Sequence, residues 1–197
     1  QALNCCEERL RPVYLEIPRD RVNQEIRTPT PDEPFLLPVD EKATDEAVSE
    51  IAARLGAASS PLLMIGIEVH RRQLREKAVQ LAEKWNLPVA STFLARGTFP
   101  LDHPNYLGTY LGDASEPGVQ EAVENSDCLL MLGVLMTDTG MAAHLKRIDP
   151  ERIIQCIGRE VIIRHHKYEN VPLDRVLEKL LREKPPARND RIFRRKE

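Results

Sequence analysis

Two glycine turns carry the residues best placed to hold a ligand. Gly66-Ile67-Glu68-Val69-His70 closes the apolar run Leu62 to Ile67, and Gly133 to Asp138 closes the run Asp127 to Val134. In an open parallel sheet, ligands bind beyond the carboxyl ends of the strands, where strand order reverses. A turn there can aim backbone amides at a phosphate, and the start of the next helix adds a favourable dipole. The candidate crevice therefore comprises Gly66, Glu68, His70, Gly133 and Asp138. Its chemistry would be flavin or adenine-nucleotide binding, but the pattern is incomplete. A dinucleotide turn needs Gly-x-Gly-x-x-Gly so that the backbone can approach a pyrophosphate, and Glu68 stands where the second glycine belongs. A carboxylate there crowds and repels phosphate. The expectation is a tight turn with Glu68 facing solvent or an interface. His70 with Arg71 and Arg72 could hold an anion at a helix start; a solvated first turn or a domain-interface patch is the simpler expectation.

The other reactive side chains are less suggestive. His165 and His166 are neighbours on an extended segment, where successive side chains point in opposite directions, so they make a poor metal pair. His103, before Pro104, reads as a turn residue, and His144 is unremarkable. Cys5 and Cys6 are adjacent, while Cys128 and Cys156 fall in expected buried strands. Without a Cys-x-x-Cys pair there is no zinc pattern, and ordinary reduced thiols are the simplest account. Asp138-Thr139-Gly140 has the letters of an aspartic-protease turn, but such a site needs two carboxylates and no second copy of the motif exists. No Gly-x-Ser-x-Gly elbow is present. No catalytic residue and no metal ligand is assigned.

The elements that position these turns read clearly. Residues 44 to 55 form an expected helix with Ala47, Val48, Ile51, Ala52 and Leu55 on one face and Gly56 as its stop. Leu62 to Ile67 is a strand too apolar to have a wet face. Leu74, Ala78, Leu81, Ala82 and Trp85 predict a helix over 71–85, followed by a buried strand from Pro88 to Thr92 and a short one from Tyr106 to Tyr110. Ser115 as cap and Pro117 in the first turn predict a helix burying Val119, Ala122 and Val123. Strands then follow at Asp127 to Val134, Arg152 to Ile157 and Val161 to Ile163, and a last helix begins near Pro172. Strands alternating with helices predict an α/β fold: a doubly wound, mostly parallel, Rossmann-like sheet of about six strands with helices on both faces.

Composition sets the remaining bounds. An apolar content of 42% can build a sizeable core. A formal net charge of -3 offers no electrostatic reason to expect nucleic acid or an acidic membrane. No apolar run approaches the roughly 20 residues that span a bilayer, and Gln1-Ala2-Leu3-Asn4 does not begin a signal peptide. A cytoplasmic setting is expected. Gln1 in place of Met favours a piece of something longer. Pro12 to Asp20 alternates Val13, Leu15 and Ile17 with Tyr14 and Glu16, a strand pattern with no nearby partner. Pro29, Pro31, Pro34 and Pro38 then make a stiff linker. The expected organisation is a remnant of a preceding domain over 1–20, a linker over 21–40, a compact domain over 41–184 and a charged tail over 185–197.

Taken as a set, these runs resemble one superfamily. Pro12-Val-Tyr-Leu-Glu-Ile-Pro-Arg-Asp20 is similar to the last strand of the pyrimidine-binding domain of thiamine diphosphate-dependent enzymes. Gly97…His103-Pro104…Gly108 and Ser126-Asp127-Cys-Leu-Leu-Met-Leu-Gly133 resemble marks of the superfamily's central domain. Gly66-Ile-Glu-Val-His-Arg71, Leu135-Met-Thr-Asp138 and Arg164-His-His-Lys-Tyr-Glu-Asn-Val-Pro172 look most like 2-oxo acid decarboxylases acting on indolepyruvate, phenylpyruvate or pyruvate. The resemblance implies a parent enzyme, oligomeric in its family, that uses thiamine diphosphate and Mg²⁺ held by two other domains. Those domains supply an activating glutamate and a Gly-Asp-Gly…Asn-Asn segment. Gly112-Asp113-Ala114 only grazes that segment, so no catalytic or cofactor residue carries over. Central domains of the superfamily bind flavin in some members, ADP in others and neither in the decarboxylases. The resemblance thus implies a structural or regulatory domain, inactive alone and without a cofactor of its own, whose partners are the parent's other domains. A flavin- or adenine-nucleotide-binding central domain and a standalone scaffold are the alternatives.

Overall fold

The computed structural model describes residues 2–26, 37–136 and 147–185. The chain divides into two units, Gln1–Pro38 and Val39–Glu197. In the first unit, α1 covers Ala2–Arg9 and a single 3-10 turn covers Arg19–Arg21. The strand expected over 12–18 does not form, and Tyr14, Leu15 and Ile17 are exposed. A lone alternating run has no ladder to satisfy its amides and carbonyls, so the pattern alone cannot make a strand.

The second unit is built on buried apolar runs that pair in parallel. β1 (Pro61–Ile65) and β4 (Cys128–Leu132) are buried at every position and lie side by side, with Leu63 opposite Leu130. β2 (Val89–Thr92) flanks β1, and β3 (Tyr106–Tyr110) flanks β2. On the other side β5 (Ile153–Ile157) runs parallel to β4. β6 (Glu160–Ile163) and β7 (His166–Glu169) then return antiparallel. The order is β3-β2-β1-β4-β5-β6-β7. Only Gly158 and Arg159 separate β5 from β6, and only Arg164 and His165 separate β6 from β7. A parallel crossover needs about a dozen residues, so such short connections enforce hairpins. Gly158 and Arg164, at φ 58° and 55°, make these turns.

Period-two alternation divides the strands between two cores. Leu63, Ile65, Leu130 and Leu132 face the helices α2 (Glu41–Ala57), α4 (Arg75–Lys84) and α6 (Leu173–Leu180). Leu62, Met64, Leu129 and Met131 face Val119 and Val123 of α5 (Pro117–Glu124). Helices therefore cover both faces, as the alternation of apolar strands and amphipathic helices predicts.

Three local expectations need correction. α2 begins at Glu41, because Asp40 Oδ1 accepts from the Ala43 amide at 2.9 Å, and it runs through Gly56. The helix expected over 71–85 is broken: α3 spans Ile67–Arg71, Gln73 turns left-handed at φ 56°, and α4 resumes at Arg75. Ser115 does not cap α5; its Oγ accepts from the Leu111 amide at 2.7 Å, and Glu116 holds the cap position.

β7 is a polar edge strand tied down by side chains. Glu50 Oε2 on α2 accepts from the Tyr168 hydroxyl at 2.8 Å and lies 3.0 Å from His166 Nδ1. Burial alone would raise the Glu50 carboxyl. The hydrogen bonds from His166 and Tyr168, with the charges of His166 and Arg54, outweigh it and hold the carboxyl below its ordinary value of 4.5. A depressed carboxylate stabilises the fold above its unfolded value, and that contribution is lost as pH falls through the folded value. Glu50→Gln is therefore expected to cost about 1 kcal/mol at pH 7, a difference that shrinks below pH 4.5. Urea unfolding across pH 3 to 7, on the order of one point per half unit, measures it.

A candidate ligand crevice at the sheet switch point

Strand order reverses between β1 and β4, because β1 leads outward to β2 and β4 leads the opposite way to β5. Gly66 ends β1 and Gly133 ends β4, so the structure brings the two turns together. They touch. A Cβ placed on Gly66 would lie 2.1 Å from the Gly133 oxygen and 2.4 Å from Val134 Cα. Gly133 has φ 64°, and a Cβ there would meet Glu68 Cβ at 2.8 Å.

Four amides of the two turns are already bonded. Gly66 N–H donates to Leu132 O at 2.8 Å, Glu68 N–H to Gly133 O at 3.2 Å and Val69 N–H to Gly66 O at 3.2 Å. Gly133 N–H donates to Cys156 O at 2.7 Å. Glu68 is 2% exposed, which corrects the expectation of a solvent-facing or interface side chain. Its Oε2 accepts from the Gly158 amide at 2.6 Å, linking α3 to the β5–β6 hairpin. The carboxylate is seated on the kind of backbone donor that a ligand anion would seek. His70 is exposed in the last turn of α3, the negative end of that helix, and not at a helix start. Asp138 lies outside the described residues. Gly66, Glu68 and Gly133 thus converge, but they do not fit a flavin or a nucleotide phosphate.

Other polar groups are absorbed by structure. Asp113 pairs with the Arg147 guanidinium, with Nη2 to Oδ2 at 3.0 Å, and accepts from Gln120 Nε2 at 3.3 Å. A carboxylate so compensated, followed by Ala114, does not fit a Mg²⁺ and diphosphate site. The Tyr110 hydroxyl donates to Glu124 Oε1 at 3.1 Å, and burial together with that carboxylate pushes the phenol up. His165 and His166 diverge as expected, the former toward Glu151 and the latter to Glu50. Glu83 Oε1 lies 3.2 Å from His103 Nε2, while His103 Nδ1 accepts from the Asn105 amide. Cys156 is wholly buried and its thiol is pushed up to about 12, which removes it as a nucleophile.

Glu68's inward seat escaped the sequence reading. One signal for it was present: glycine follows the last apolar strand residue in both Ile65-Gly66 and Leu132-Gly133, as close contact between two strand ends requires.

Residues 48–183 match the family model described as thiamine pyrophosphate enzyme, central domain. The chain is 39% identical over 187 residues to an indole-3-pyruvate decarboxylase of Azospirillum brasilense, covering 95% of this chain and 34% of that protein. It is 31% identical over 183 residues to a pyruvate decarboxylase of Aspergillus fumigatus, covering 91% of this chain and 32% of that one. The solved structure of a protein from Mycobacterium smegmatis, by its description a thiamin diphosphate-dependent enzyme, matches with TM-score 0.50 and 23% identity over 74% of this chain and 29% of its own; it speaks for the fold alone. The chain spans about a third of the length of the relatives it matches. It belongs to the family of thiamine pyrophosphate enzyme central domains.

Proposed function

We propose that this chain is the structural central domain of a thiamine diphosphate-dependent 2-oxo acid decarboxylase and is catalytically inactive by itself. The observation that carries the reading is the closed switch point. Gly66 and Gly133 are in backbone contact, and the Glu68 carboxylate fills the space beside them and takes the Gly158 amide. A switch point so filled among the described residues supports a structural task. Further support comes from relatives that are indole-3-pyruvate and pyruvate decarboxylases three times as long. In this reading residues 1–20 are the end of a pyrimidine-binding domain, 21–40 link it to the central domain over 41–184, and 185–197 lead onward. The cofactor and Mg²⁺ belong to the parent's other domains, which are this chain's partners, and the parent assembles as an oligomer in the cytoplasm.

The isolated chain, given thiamine diphosphate and Mg²⁺, is expected to release no CO₂ from pyruvate, phenylpyruvate or indolepyruvate. Turnover above a buffer blank would overturn the reading. Purified protein that is yellow, or that binds ADP in a calorimeter, would replace it with a ligand-binding central domain.

A further inference from the structure

A cavity of about 300 Å³ opens at the amino end of the sheet, the opposite end from Gly66 and Gly133. Pro61, Leu62 and Pro88, all buried, give it an apolar floor. Its wall is the end of α5, with Glu121, Ala122 and the cap residue Asn125, and Ser60 completes the lining. The backbone around it is held in place. The Asp127 carboxylate accepts from the Ser59 amide at 2.7 Å and from the Ser60 amide at 2.9 Å, and Ser126 Oγ donates to Ser60 O at 3.0 Å. An apolar floor with a few convergent polar groups is the make-up of a small-molecule site, and the volume is at the lower end of the range for one. The side chains of Ser60, Glu121 and Asn125 have no hydrogen-bond or ion-pair partner among the described residues.

Three features set the sign of the ligand. Pro61 opens β1 and Pro88 immediately precedes β2, and neither has an N–H to offer an anion. Residues 113–127 carry Asp113, Glu116, Glu121, Glu124 and Asp127 and no Lys, Arg or His. Asp113 and Glu124 face Arg147, and Asp127 takes two amides, whereas no cation answers Glu121 among the described residues. The last turn of a helix is its negative end and favours a cation. The other described α-helices carry their own there, as Arg9, Arg54, Arg71, Lys84 and Lys179; α5 has none. We propose that this cavity binds a small organic cation, an ammonium group on a compact apolar body. Glu121 takes the charge, the Asn125 side-chain oxygen and the Ser60 hydroxyl accept the remaining N–H groups, and Pro61, Leu62 and Pro88 pack the body. The inference stands apart from the functional reading above, because none of these groups belongs to the switch point.

The test is a charge series at constant shape: phenethylamine, 2-phenylethanol and phenylacetate, titrated into the chain and followed by amide and methyl NMR. Phenethylamine is expected to shift the resonances of Leu62, Ala122 and Asn125 with a Kd of about 1 mM. It should bind at least about threefold tighter than the alcohol, the effect of one exposed ion pair, and phenylacetate should bind weakest. Glu121 is exposed, so Glu121→Gln should leave the melting temperature unchanged while reducing the amine to the affinity of the alcohol. Glu121→Lys should abolish amine binding. No shift at these resonances at roughly 10 mM amine overturns the proposal. So does equal affinity across the series, which would mean an apolar cleft indifferent to charge. Amine shifts that spread over other acidic surfaces, or that survive unchanged in Glu121→Gln, overturn it as well.

Discussion

Gly66→Ala is expected to destabilise the fold by at least about 3 kcal/mol, with a melting temperature lower by roughly 10 °C. The added methyl would lie 2.1 Å from the Gly133 oxygen, 2.3 Å from its carbonyl carbon and 2.4 Å from Val134 Cα. All three are backbone atoms in the central pair of strands, so no flexible side chain can move aside. Relief requires separating β1 from β4, which are bonded along their whole length and are buried throughout. Gly133→Ala should cost less, since its clashes are longer, 2.8 Å to Glu68 Cβ and 2.9 Å to Val69 N, with left-handed backbone strain added. Gly118→Ala is the control: nothing lies within 4 Å, and the site is in α5, so the change should be neutral or stabilising by up to about 1 kcal/mol. Urea unfolding of the three variants ranks them. A Gly66→Ala protein as stable as the parent would show that the switch point is not closed.

Trp85→Ala should cost about 3–5 kcal/mol, the range for a large aromatic removed from a core. Trp85 is 2% exposed at the end of α4, and its Nε1 donates to Leu180 O across to α6 at 3.4 Å. Truncation opens a cavity between two helices that cover the same sheet face and leaves that carbonyl without the indole. Trp85→Phe keeps most of the volume and forfeits one long hydrogen bond, so it should cost no more than about 1.5 kcal/mol. Trp85 is the chain's one tryptophan, so the variants are followed by far-ultraviolet circular dichroism, and the unsubstituted protein also by fluorescence. Equal losses in the two variants would mean that the indole nitrogen, not the ring volume, matters.

How much of this was legible in the sequence depended on how far each signal acts. The buried strands and amphipathic helices read correctly because period and apolar content are local and strong, as in Leu62–Ile65 and Leu129–Leu132. β7 was not recognised as a strand because an edge needs only one paired side, and His166-Lys167-Tyr168-Glu169 carries no apolar alternation. The run at 12–18 erred the other way: it has the alternation and lacks the partner. The crevice was half legible. Gly66 and Gly133 could be placed at the reversal of strand order, and Glu68 could be seen to disfavour phosphate. That Glu68 turns inward to Gly158 depends on a contact 90 residues away in the chain, which no local pattern encodes.

Anything that binds the folded state alone adds to stability in proportion to its occupancy, so a domain with an open cofactor site is only as robust as its ligand supply. The Glu68 carboxylate on the Gly158 amide is a covalently attached occupant, present at unit stoichiometry from the moment the chain is made. In the proposed reading this fold needs no ligand at its switch point, and its persistence there is independent of metabolic state.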